Sequence, residues 1–149
     1  KSSAGTVTLS GTTGLDYEEG TWTAILGDSS GNNMNITANQ CSYIKIGRAV
    51  VITGRLVTDS IGSASGQMLI TGLPYSSKSD NSGASCIPLG YCAGISVTAG
   101  TTVTGRVSNN STTMSMFMWT EADGMAGFDA SNWSANGQCQ FGGVYQSNS

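Results

Sequence analysis

The 149-residue chain has no histidine, so it lacks the usual general base, the commonest metal ligand and the side chain that titrates near neutral pH. Nucleophilic sites of the Ser-His-Asp or Cys-His kind are excluded by inventory. Charge is also scarce: 6 Lys and Arg stand against 9 Asp and Glu, 10% of the residues, for a net charge of -3 and no basic cluster. That argues against nucleic acid as a partner. No apolar run approaches the roughly 18 residues needed to span a bilayer, and the first residues lack the charged-then-apolar layout of a signal peptide, so no membrane insertion is expected. Strong helix formers are few, which removes an all-α fold, and the length suits one domain.

What is abundant belongs to strands and turns. There are 21 glycines, and Ser, Thr and Asn together make up about a third of the chain. From Leu15 the period is two: Trp22, Ala24 and Leu26 alternate with Thr21, Thr23 and Ile25, followed by a turn over Gly27 to Asn33. Cys41 to Ile46 and Ala49 to Thr58 read as a hairpin turning at Gly47-Arg48. Further strands are expected at Gln67–Thr71, ending at Gly72-Leu73-Pro74, and at Ile87–Ser96, Thr101–Val107, Thr112–Thr120 and Gly137–Tyr145, with Tyr75 to Ser85 a polar loop. Eight or nine short strands with regular turn signals predict an all-β fold, an antiparallel β-sandwich of jelly-roll-like form over residues 15–149. Residues 1–14 read as a connector or shaft-end segment. A chain opening on Lys1 is expected to be a piece of a longer polypeptide.

Several residues invite a functional reading. Four cysteines allow three pairings: Cys86 with Cys92 would close a small hairpin loop, Cys41 with Cys139 could bridge two strands, and unpaired buried thiols are the other reading. Their spacing fits no zinc pattern. Met114, Met116 and Met118 alternate along one strand and share a face, while Ser115, Phe117 and Trp119 share the other. A strand apolar on both sides suits either an oligomer interface or a two-sided core. Glu121, Asp123 and Asp129 lie close together beside glycines, but their spacing fits no calcium loop and turn-forming acids are the plainer reading. Glu18 and Glu19 are adjacent, so in an extended chain they point to opposite sides and cannot work together as acid and base. Tyr91, Trp119 and Trp133 fall near expected strand ends, where a ring could stack on a sugar. No metal, cofactor or catalytic residue is implied.

The run Leu15-Asp16-Tyr17-Glu18-Glu19-Gly20-Thr21-Trp22-Thr23, then Tyr43-Ile44-Lys45-Ile46-Gly47-Arg48, a Val/Ile strand ending in Gly54-Arg55, and Ile70-Thr71-Gly72-Leu73-Pro74, resembles a C-terminal domain of tail-fibre and other virion structural proteins of tailed bacteriophages. The close, Phe141-Gly142-Gly143-Val144-Tyr145, is similar to that domain's final strand. The chain departs from the pattern at Ala24, where the family often has proline, and in having four cysteines. The resemblance implies a β-sandwich module at the end of an elongated virion protein, a homotrimer displayed on the particle and joined to upstream fibre or other virion proteins. It implies no catalytic residue.

Three functions follow as expectations. The first is a fibre or spike tip that attaches to a bacterial surface glycan or protein, where three sites per trimer add avidity. The second is an architectural trimerisation, filament or capsid-decoration domain with no ligand. The third, a polysaccharide depolymerase, needs two carboxylates about 5–10 Å apart across a cleft and is the least favoured.

Overall fold

In Ala49–Ser60 the apolar residues fall on alternate positions, and that alternation becomes the burial pattern: Val50, Ile52, Leu56 and Thr58 face inward while Val51 and Thr53 face out. The same rule builds the rest of the chain, a computed structural model of which describes residues 16–80, 84–121 and 124–148. The expected connector over residues 1–14 and Asp123 lie outside the described residues.

Ten strands follow in order: β1 (Tyr17–Thr21), β2 (Ile25–Asp28), β3 (Asn35–Ile46), β4 (Ala49–Ser60), β5 (Met68–Thr71), β6 (Ser85–Ile95), β7 (Thr102–Val107), β8 (Thr113–Thr120), β9 (Gly124–Gly127) and β10 (Trp133–Gln146). A 3-10 turn, Ala130–Asn132, precedes β10, and no α-helix occurs among the described residues. Every pairing is antiparallel, and the strands run β1-β3-β4-β10-β6-β7-β8-β5-β2, with β9 added to β8. The all-β antiparallel expectation holds, but the pairing path is continuous. It turns the corner on β6, whose Leu89–Ile95 half pairs with β10 and whose Ser85–Pro88 half pairs with β7.

The two ends of this path, β1 and β2, are joined by only Trp22, Thr23 and Ala24. Three linking residues reach no more than about 14 Å, so the sheet must curl into a half-barrel that brings its first and last strands together. Here the structure corrects the single strand expected through Trp22 to Leu26. The Asn39 side chain donates from Nδ2 to the Ala24 carbonyl (2.6 Å) and accepts the Ala24 N–H on Oδ1 (3.3 Å), replacing a strand partner at the break. The hairpin at Gly47-Arg48 is where it was expected, with Gly47 at φ 56°, a conformation that favours glycine. β9 was not foreseen, and β10 begins at Trp133 rather than Gly137.

The concave side of the curl is the core. Leu26, Val50, Ile52, Leu56, Met68, Ile70, Ile87, Val107, Phe128 and Tyr145 are buried there, each contributing about 1.5–3 kcal/mol relative to exposure. Met114 and Met116 are buried with them, within the single chain, and Met118 packs half-buried against the same cluster. This corrects their assignment to an oligomer interface: β8 lies between β7 and β5, so its methionine face looks into the curl. Glycine makes room for them, since a Cβ on Gly105 would lie 2.4 Å from Met114 Sδ.

All four cysteines are free thiols. Cys86 and Cys92 sit on one continuous strand, six positions and so about 20 Å apart, far beyond the roughly 7 Å reach of a disulfide. Cys41 on β3 and Cys139 on β10 have β4 between them, which sets their backbones about 9–10 Å apart. Neither expected pairing fits this register.

Candidate functional site

Along the β6–β10 ladder the register is even from Gln138 opposite Ala93 to Gln140 opposite Tyr91, then shifts so that Phe141 faces Leu89. Gly90 is the extra residue, and a bulge of this kind bends the strand and re-aims its side chains. Phe141 turns inward, its ring over Gly54 of β4 and 6.2 Å from that of Trp22. Outside, Tyr91 stands 50% exposed above a shallow cavity of about 370 Å³ lined by Pro88, Gly90, Tyr91, Gln140, Phe141 and Gly142. The glycines leave the shelf beside the ring without side chains. One aromatic face, one amide and exposed main chain suit an uncharged, hydroxyl-rich ligand whose ring stacks while its hydroxyls bond to the amide. Pro88, Gln140 and the glycines were not singled out in the sequence, because the bulge that assembles them is a property of the pairing.

The other two aromatic candidates part company. Trp119 is 57% exposed on the outer face of β8, between Thr102 of β7 and Met125 of β9, itself exposed. Trp133 is a core residue, a correction to its placement on a loop end. Its Nε1 donates to Thr58 Oγ1 (2.9 Å), its ring meets Phe128 edge-on at 6.4 Å, and it covers Gly137 so closely that a Cβ there would be 2.0 Å from Nε1.

Several carboxylates are engaged in structure. Glu18 and Glu19 do face opposite sides, opposite Lys45 and Ile44. Glu18 accepts short hydrogen bonds from the Tyr43 and Tyr75 hydroxyls, which hold it below the usual carboxylate range and raise both phenols. Buried Lys45 lies 3.6 Å from Asp16 and 5.4 Å over the Tyr75 ring. Asp28 sits inside the turn it was assigned to. Its Oδ1 accepts the N–H groups of Ser30 and Asn32, and its Oδ2 those of Ser65 and Gly66. The Asn32 amide and these backbone donors hold the Asp28 carboxyl far below its ordinary range. Glu121 and Asp129 are exposed, and among the described residues no group of three His, Cys, Asp or Glu side chains is placed to hold a metal.

Across the outer face of β1, β3, β4 and β10 runs a row of exposed apolar residues. Ile44, Val51 and Val144 are direct cross-strand neighbours, with Tyr17 and Ile46 paired beside them. A second open cavity of about 420 Å³, lined by Glu19, Gly20, Ser42, Tyr43 and Ile44, borders that row.

Fold and surface together define an all-β domain with a curled antiparallel sheet, an apolar outer row and an uncharged aromatic shelf. Among solved structures, the Dettilon tailspike protein superposes on it with a TM-score of 0.76 at 17% identity, over 87% of this chain and 24% of that one. The chain thus has the fold of about a quarter of a tailspike protein. No protein-family model matches the sequence, and no curated protein matches it.

Proposed function

We propose that this chain is a structural domain of a tailed-phage virion, a fibre or spike tip that trimerises and attaches to a host surface glycan through the Tyr91 shelf. The likeness to a tailspike over 87% of the chain carries the assignment to the virion exterior. In that reading the curled sheet, which turns its corner on β6, takes the place of the sandwich. Exposed Tyr17, Ile44, Ile46, Val51 and Val144 form an apolar row larger than scattered surface hydrophobics, and supply a contact face between copies in place of the methionines. Glu18 and Asp28 are consumed by structural hydrogen bonds, which favours binding over hydrolysis of the glycan.

Light scattering on the purified chain is expected to give three times the monomer mass, reduced to one by Val51→Glu. A glycan array is expected to show a signal that Tyr91→Ala abolishes and Trp133→Phe preserves. A trimer without any glycan signal would transfer the function to the architectural reading, and a monomer that binds sugar would leave a lectin-like single domain.

A further inference from the structure

Three of the four thiols meet in one part of the core. Cys92 of β6 and Cys139 of β10 are directly opposed in the antiparallel register, with Cys139 wholly buried and Cys92 half-buried against the same cluster. Cys41 is buried on β3, beyond β4, and Cys86 is exposed opposite Arg106. Directly opposed residues of an antiparallel pair have Cα atoms about 4.5–5.5 Å apart. That falls within the roughly 4.4–6.8 Å that disulfides require. No other pair of cysteines stands in register.

The pair also sits where a link would matter. Only three rungs, Gln138 to Gln140 against Ala93 to Tyr91, lie between two register shifts of the β6–β10 ladder. These rungs hold β6 to β10 just before β6 changes partner to β7. A covalent tie at the middle of these rungs would lock Cys92 opposite Cys139.

We propose that Cys92 and Cys139 are a cross-strand dithiol site that a small-molecule disulfide, glutathione disulfide for example, oxidises to a Cys92–Cys139 bond. Cys92 reacts first because Cys139 is closed to solvent. The Cys92 thiol loses its proton, and the thiolate attacks one sulfur of glutathione disulfide, forming a mixed disulfide and releasing one glutathione thiolate, which takes up a proton. Cys139, deprotonated in turn, attacks the Cys92 sulfur and expels the second glutathione. Two protein thiols are oxidised and one glutathione disulfide is reduced to two glutathiones. Burial holds both thiols above the ordinary range, so the reaction is slow at neutral pH and quickens by up to about tenfold per pH unit as the thiolate fraction rises.

The test uses the full chain carrying Cys86→Ser, which removes the exposed thiol that would take glutathione alone. The reduced protein is incubated with glutathione disulfide at neutral and mildly alkaline pH, alkylated under denaturing conditions and mapped by mass spectrometry. The expected result is alkylation of Cys41 alone and a linked peptide pair joining Cys92 to Cys139, formed faster at the higher pH. Three alkylated cysteines, glutathione retained on Cys92, or a bond from either residue to Cys41 would overturn the proposal. In a second chain with Cys92→Ser added, Cys139 is expected to stay unmodified by glutathione. A glutathione adduct on Cys139 there would overturn the order of attack. None of these readouts depends on glycan binding or on trimer formation.

Discussion

Thr58 offers a quantitative test of whether Trp133 belongs to the core. Its Oγ1 accepts the Trp133 Nε1–H at 2.9 Å and points its own hydrogen at the carbonyls of Ala135 (2.8 Å) and Gly137 (3.2 Å), with Thr58 only 2% exposed. Thr58→Val keeps the shape and removes the hydroxyl, leaving a buried indole N–H without a partner, at a cost of about 1–3 kcal/mol for that donor. In a chain of 149 residues each kcal/mol moves Tm by roughly 2–4 °C. Taking about 2 kcal/mol, the expected drop is roughly 4–8 °C. Thr58→Ser keeps the hydroxyl and loses one methyl, about 1 kcal/mol and roughly 2–4 °C. Calorimetry on the three proteins should therefore rank wild type, Ser and Val in descending Tm. A Val variant as stable as wild type, or more stable than the Ser variant, would refute the reasoning and return Trp133 to the list of surface residues.

Three further outcomes are expected. Asp28 has a folded-state pKa depressed by the Asn32 side chain and the backbone N–H groups of Ser65, Asn32 and Gly66, so its stabilisation is present above about pH 4, the unfolded value, and is lost as pH falls towards the folded one; in a Tm series from neutral to acid pH, Asp28→Asn should start lower than wild type and fall less steeply. Glu18 has the same sign, and Glu18→Gln should speed amide hydrogen exchange in Tyr17–Thr21 at neutral pH, because the Tyr43 and Tyr75 hydroxyls lose a charged acceptor. Gly54→Ala places a Cβ 2.2 Å from Phe141 Cζ and should cost about 1–3 kcal/mol in chemical denaturation, part of which Phe141→Leu restores in the double variant.

Strand existence was legible because period-two patterning is local: the hairpin turn at Gly47-Arg48, β4, β5, β7 and β8 stand where alternation and turn residues put them, while β3 starts at Asn35, ahead of the expected Cys41. The break at Trp22 to Ala24 was not, because it depends on Asn39, fifteen residues further on, supplying the hydrogen bonds that end the strand. The same limit governed the methionines. Alternation correctly put Met114 and Met116 on one face, but which face turns inward follows from the curl of the whole sheet. Tyr91 and Trp119 were found as exposed aromatics, while the shelf beside Tyr91 needed the bulge at Gly90 on β6, and the opposed thiols needed the pairing of β6 with β10.

These last two features belong to consecutive residues. Tyr91 points out of the sheet onto the shelf, and Cys92 points in towards Cys139, since neighbours on a strand take opposite faces. The shelf exists only while the bulge at Gly90 stays where it is, between the Phe141–Leu89 rung and the three rungs that include the opposed thiols. β6 is also the strand on which the sheet turns from one half of the curl to the other, so any slip there would displace Tyr91 and loosen the core together. A tie between Cys92 and Cys139 would therefore act on the outer face without touching it, by holding the register on which the bulge and the shelf depend.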